Sequence, residues 1–280
     1  MSRRDLGYVS GYTSSSVYTS QYGTATGGTA VTISGVNYQY VAISSTGSFT
    51  PTSPGLFDVL IFGGGAASPQ TTIPMGGGGG GGISQQTIFL SASSNTVVVG
   101  AGGSTYTVST SYQFGAGSSS QIGTIPNAIA ALGGTSNMSN ATGTGILFTG
   151  SGMGSYASQA NSGVNSIQGY KGGAATTATN AGGGGGAAGA GGDAPSSNVG
   201  GTGGNGYDVS AFIGGSATYK GAGGGGSGTV TGGTAGLGGV AGSTGAGNAG
   251  SANSAAGAGG SNNAAGANGG SGIVYIRWKV

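Results

Sequence analysis

The chain has 280 residues, 72 of them Gly, and only ten formal charges, six Lys or Arg against four Asp, for a net charge of +2. With neither Cys nor His it has no disulfide, no thiol nucleophile and none of the usual zinc ligands, and it has no Lys/Arg stripe to neutralise phosphates, which excludes nucleic acid as a partner. Disorder is normally maintained by charge and solvating Glu and Lys, so a nearly neutral chain without Glu is expected to order itself by satisfying its own backbone.

The first 30 residues are rich in Tyr, Ser and Thr, with Tyr8, Tyr12, Tyr18 and Tyr22 spaced by four, six and four. Positive charge is present without an apolar h-region, so the stretch is not read as a secretory signal. Two readings stand: a poorly ordered terminus, or a segment 1–35 that anchors on a partner through Arg3, Arg4, Tyr8 and Tyr12, Tyr being a rigid amphipathic contact residue.

Apolar residues then concentrate. Of the 45 Ile, Leu, Val and Phe, 29 fall in 31–148 and nine in 149–270. Alternating β-branched runs predict strands at 30–36 and 38–44. The nearly continuous "GLFDVLIF" at 55–62 suits a central strand covered on both faces. Further strands are expected at 85–91, 96–101 and 104–110, and a helical turn at 125–132. The last ten residues alternate again, with Val274, Ile276, Trp278 and Val280 facing one way and Tyr275, Arg277 and Lys279 the other. A terminal strand must pair with something made much earlier, so the glycine-rich stretch between is a loop-out. The expected division is 1–35 anchor, 36–112 β base, 113–270 glycine-rich bundle and 271–280 closing strand.

Within the loop-out, Gly233, Gly236, Gly239, Gly242 and Gly245 repeat every third residue. A period of three is neither helical nor extended. It matches the left-handed three-residue helix, which rises about 3.1 Å per residue and has no internal hydrogen bonds, so 13 residues make a rod of about 40 Å. Collagen would need abundant Pro, and the whole chain has six. The alternative is a bundle of polyglycine II rods that pair laterally through their backbones, with glycine inward and Ala, Ser, Thr and Asn outward. Other rods are expected at 76–82, 182–192, 200–206 and 221–228, with turns near 193–198 and 207–219. The fold class is therefore mainly β, a β-sandwich base with a polyglycine II bundle and almost no α-helix.

The blocks at 38–68, 86–103, 203–228 and 269–280 resemble, in order, those of the glycine-rich domain of bacteriophage tail fibres and related virion proteins. The resemblance covers about 38–280 and implies a polyglycine II adhesin with receptor-contacting loops at its far end. It departs from the family pattern where the first glycine run is interrupted at 63–82 and where 135–170 is rich in Ser and Asn.

The resemblance also implies the partners: other virion proteins through the amino-terminal segment, and a bacterial surface receptor, either polysaccharide or outer-membrane protein. No membrane insertion is expected, because no run approaches eighteen apolar residues. A homotrimer is one arrangement implied by the threefold symmetry of phage fibres, although rods can also bundle within one chain. The resemblance implies a location in the virion, on the tail or tail fibre, after synthesis in the host cytoplasm. Receptor-contact candidates in the glycine breaks are Tyr156, Tyr170, Lys171, Tyr207 and Phe212. They would form aromatic platforms, or else pack blandly over bundle ends.

Catalysis and cofactors are not expected. "DVLIFGGGAAS" has the strand and glycines of a dinucleotide fingerprint, but no helix and no acidic residue follow it. The acids Asp5, Asp58, Asp193 and Asp208 are unpaired in sequence, no base activates a Ser, and Asp193 and Asp208 suit turns. Asn137 and Asn140 fit glycosylation sequons that arise easily by chance in such a composition. Two further functions stay open: a purely structural or decoration protein of tail or capsid, and an ice-binding bundle. The latter needs a flat regular Thr or Ala face, which the mixed non-glycine positions do not supply.

Overall fold

The structure, a computed structural model, describes residues 22–107, 115–123, 129–132, 134, 150–156 and 168–280. In chain order the elements are β1 (Thr29–Ile33), β2 (Val36–Ile43), β3 (Gly47–Phe49), β4 (Gly55–Phe62), β5 (Ile83–Leu90), β6 (Asn95–Val98), β7 (Ser120–Ile122), β8 (Ile129–Ala131), β9 (Tyr207–Asp208), the short helix α1 (Ser210–Ile213), β10 (Tyr219–Lys220) and β11 (Ile273–Lys279). Five strands pair in the order β1-β2-β11-β4-β5 and four in the order β3-β6-β7-β8, while β9 and β10 form a small ladder of their own. All these pairings are antiparallel. The fold is mainly β with almost no helix, as the composition and patterning predict.

The last strand holds the first ones together. β11 lies between β2 and β4, with Tyr275 opposite both Ala42 and Leu60. Its alternation is as read from sequence. Val274, Ile276 and Trp278 face the four-stranded sheet and form one core with Phe49, Phe57, Val59, Ile61, Val97 and Ile122. The rings of Phe49, Phe57 and Trp278 meet at centroid distances of 5.4–6.0 Å, in the edge-on and tilted arrangements that aromatic quadrupoles favour. On the opposite face, Leu60, Phe62, Ile273 and Tyr275 are covered by Val209 and Phe212 of the β9–α1–β10 unit. Two buried faces explain why β4 reads as nearly continuous apolar sequence. Val280 passes beyond the strand and is exposed.

Beyond Phe62 the chain leaves the sheet and becomes a rod. The run 75–82 is surrounded by the runs 63–68, 150–155, 181–186, 221–227 and 255–261 and by residues 132 and 134. Gly77 donates to the Gly182 carbonyl at 3.1 Å, Gly78 to Ala258 at 2.8 Å and Gly82 to Leu132 at 2.8 Å; Ala66 donates to Gly79 at 2.8 Å, Ser151 to Gly80 at 2.9 Å and Gly224 to Gly78 at 3.0 Å. A rod with three residues per turn points its Cβ positions in three directions, and here each direction meets backbone. A methyl group at Gly77 would overlap the Gly224 carbonyl, and one at Gly79 that of Ser151. This explains the unbroken glycine of 76–82. A peripheral rod needs glycine on one edge only, so Thr234, Ala235 and Ala241 face solvent while Gly233 is buried. Among the described residues these rods bond to one another within one chain.

Several expectations are corrected. The 233–245 repeat is not one 13-residue rod. It reverses at Leu237–Gly238, where Gly239 donates to the Gly236 carbonyl at 2.9 Å and Gly238 has φ of 76°, the positive angle required at the third position of a type II turn. Gly242 then bonds back to Gly233 at 2.8 Å; a tight turn preserved the period of three while reversing the direction. Likewise 182–192 folds back through a bend at 187–189, so that Gly183 donates to the Gly192 carbonyl at 3.0 Å. Residues 104–106 continue a rod instead of a strand, and 129–131 form β8 instead of a helical turn. The division at residue 112 does not follow the fold, because 63–82 and 100–106 run in the bundle while β7 belongs to the base.

Candidate functional site

The direction of each rod follows from the strand attached to it. β4 delivers the chain outward at Phe62 and β5 receives it at Ile83, so the connection 69–74 lies at the pole far from the sandwich. Applying the same alternation places the turns at 176–180, 195–199, 228–231, 244–246 and 261–264 at that distal pole, and those at 187–189, 237–238 and 251–254 beside the base. The opposite end of the molecule holds residues 22–24. Tyr22 bridges to Leu56 at the start of β4, and the Lys279 ammonium lies 4.8 Å from the centre of the Tyr22 ring.

Side-chain amides tie the distal turns together. The buried Asn180 accepts through Oδ1 from the Thr176 and Thr177 N–H groups, both at 3.0 Å, and donates to Thr176 Oγ1 at 2.8 Å and the Ser196 carbonyl at 2.7 Å. Asn198, at φ of 68°, accepts from Thr229 Oγ1 at 2.6 Å, while its carbonyl accepts from the Val230 and Thr231 N–H groups at 3.0 and 3.1 Å. Ser261 Oγ donates to the Pro69 carbonyl at 2.6 Å. The loops are thus preorganised on a stiff support. Beside them lies a pocket of about 330 Å³, lined by Gln70, Thr71, Thr72, Ile73, Thr107, Asn263 and Ala264. None of these distal turns carries a charged residue.

The structure does not bring the sequence-derived contact candidates together at this pole. Phe212 is a core residue, buried against Arg277, whose guanidinium lies 4.3 Å from its ring centre. Tyr207 is half-buried beside Phe62 and donates its hydroxyl to Gln85 at 3.1 Å. Tyr170 and Lys171 are exposed, but at the base end of their rod, where Tyr170 donates to Gly186 at 3.1 Å. Tyr156 is half-buried toward the distal end. The physical reason is antiparallel packing, which puts glycine breaks at both ends of the bundle. Among the bundle glycines, Gly233, Gly236, Gly239 and Gly242 each approach neighbouring backbone, while Gly245 faces open space. Arg3, Arg4, Tyr8, Tyr12, Asn137 and Asn140 lie outside the described residues.

The described acids have structural partners. Asp58 pairs with Arg277 at 3.1 Å. Asp193 Oδ1 accepts from the Ala174 N–H at 2.7 Å, a contact between runs instead of the expected local turn. Asp208 accepts from the Ser210 and Thr218 N–H groups, both at 3.0 Å, which hold its carboxyl below the usual range, and it closes the β9–α1 turn as expected. Burial pushes the Lys220 ammonium down; it donates to the Asn253 carbonyl at 2.8 Å. Among the described residues no group of three His, Cys, Asp or Glu side chains could hold a metal, and no helix is long and apolar enough to cross a membrane.

A β-sandwich whose looped-out glycine rods pair through their backbones and carry turns at the pole far from it defines the class: a glycine-rod bundle protein. The profile of the family described as "Glycine-rich domain" matches residues 43–279. The chain belongs to that family. Among curated proteins nothing matches it.

Proposed function

We propose that the protein is a non-enzymatic bacteriophage virion protein, an accessory tail or fibre adhesin that presents its distal loops to a bacterial surface receptor. The phage setting rests on the resemblance of its sequence blocks. The observation that carries the binding role is polarity: residues 22–24 lie at one end of the molecule and the turns at 69–74, 176–180, 195–199, 228–231 and 261–264 at the other. A chain anchored through residues upstream of Tyr22 holds those turns outward. Loops on a rigid scaffold are where binding residues concentrate, and recognition here needs no chemistry. Binding of labelled protein to a panel of bacterial strains tests the reading. Saturable binding, lost when 195–199 and 228–231 are scrambled, is expected; folded protein that binds no strain overturns it.

A second reading, a structural or decoration role in tail or capsid, draws on the base. Phe89 and Val280 are both 66% exposed there, and β5 is an edge strand of the five-stranded sheet. A neighbouring virion protein that covers this surface would account for them. Assembly of Phe89→Ser protein into virions measures that contribution independently of cell binding.

A further inference from the structure

Resting on the distal pole as the recognition surface, we propose that the pocket between the 69–74 and 261–264 turns binds one uncharged pyranose unit of a bacterial surface glycan. Its volume, about 330 Å³, stands at the small end of ligand sites, which run from about 300 to 1,000 Å³. It is sized for a sugar ring, not for a protein loop.

The lining fits that ligand. A pyranose offers hydroxyls around its rim and C–H groups on its faces. Gln70, Thr72 and Asn263 supply amide and hydroxyl groups that both donate and accept, and Ile73, 38% exposed, supplies an apolar wall. Gln70 is oriented by Thr107, whose Oγ1 donates to Gln70 Oε1 at 3.3 Å. The walls are fixed by the backbone, since Gln70 bonds to the Tyr106 carbonyl at 2.7 Å and Thr71 bridges to Ala264. Asn263 stands at φ of 49°, in the left-handed region where glycine is the unstrained choice. An amide side chain is kept there in a chain that uses glycine at 72 other positions.

Charge selects the ligand class. The described cations are Lys171, Lys220, Arg277 and Lys279, and all four lie at or beside the base. Among the described residues nothing at the pocket would compensate the desolvation of a uronate or phosphate, so acidic sugars are disfavoured and neutral ones accepted.

The test is saturation-transfer NMR on the full chain with methyl gluco-, galacto- and mannopyranosides and their 2-acetamido analogues, beside glucuronic and galacturonic acid. At least one neutral glycoside is expected to bind saturably, with affinity falling fivefold or more in Asn263→Gly and Gln70→Ala. Asn263→Gly suits the backbone angle, so an unchanged melting temperature keeps that variant interpretable. No binding by any neutral glycoside, equal binding by the uronic acids, or unaltered binding in both variants overturns the proposal. Strain binding separates the two readings: cells bound through the loops without any glycoside binding leave the adhesin standing and remove the sugar site.

Discussion

Arg277 Nε donates to Asp58 Oδ2 at 3.1 Å across 219 residues of sequence. The two side chains are only 14% and 13% exposed, and they sit opposite each other on β11 and β4. Arg277 also donates through Nη1 to the Ala211 and Phe212 carbonyls at 3.2 and 2.9 Å, with its guanidinium between the rings of Tyr38 and Phe212. One side chain thus joins β11 to β4 and fastens α1 over the sheet.

Removing one partner of such a nearly buried pair leaves the other uncompensated, a loss of about 3–5 kcal/mol. Arg277→Met is therefore expected to lower the urea midpoint severely. Arg277→Lys recovers only part, because a single ammonium cannot serve both a carboxylate and two helix carbonyls. A cycle with Asp58→Asn measures the coupling. Additive losses would show that the ion pair contributes nothing beyond its separate contacts.

The bundle makes a positional forecast for glycine. Gly80→Ala places a methyl against the Gly221 carbonyl inside the bundle, and backbone held by lateral hydrogen bonds has nowhere to move. The cost is expected to reach at least about 3 kcal/mol, the upper end for overpacking. Gly245→Ala meets open space and should leave the unfolding free energy within about 0.5 kcal/mol of wild type. Equal effects at the two sites would contradict the lateral packing of the rods.

Alkaline titration reports on the β11 core. Burial, with a smaller contribution from neighbouring Tyr40, pushes the Tyr275 hydroxyl up to about 12. The folded state therefore holds a proton that the unfolded chain releases near pH 10. The associated stability is complete below about pH 10 and is lost as pH rises toward 12. Lys220, shifted down by burial, contributes the opposite slope below its ordinary value. Denaturant midpoints measured from pH 8 to 12 should fall for the wild type and fall less for Tyr275→Phe. Identical profiles would remove Tyr275 as the cause.

Ser151 Oγ is buried with no hydrogen-bond partner among the described residues. Desolvating an unsatisfied hydroxyl costs about 1–3 kcal/mol, and removing it is neutral or stabilising. Ser151→Ala is expected to raise the unfolding free energy by about 1 kcal/mol; a destabilised variant would reveal a partner for the hydroxyl.

Much of this molecule was determined by local sequence. The strand at 55–62, the alternation of Val274, Ile276 and Trp278 against Tyr275 and Arg277, and the period of three from Gly233 are each visible in a few residues, because side-chain direction follows backbone period. So is the loop-out, since the alternating strand after the glycine-rich stretch pairs with strands that precede it. Tertiary structure alone decided which rod is central and where each one reverses. Glycine permits a turn as readily as a rod, so the repeat runs through Leu237–Gly238 without a mark. The same indifference hid the site: breaks at both ends of an antiparallel bundle look alike in sequence, and Phe212 in the core and Thr72 at the pole were distinguished only when the rods were stacked on the sheet.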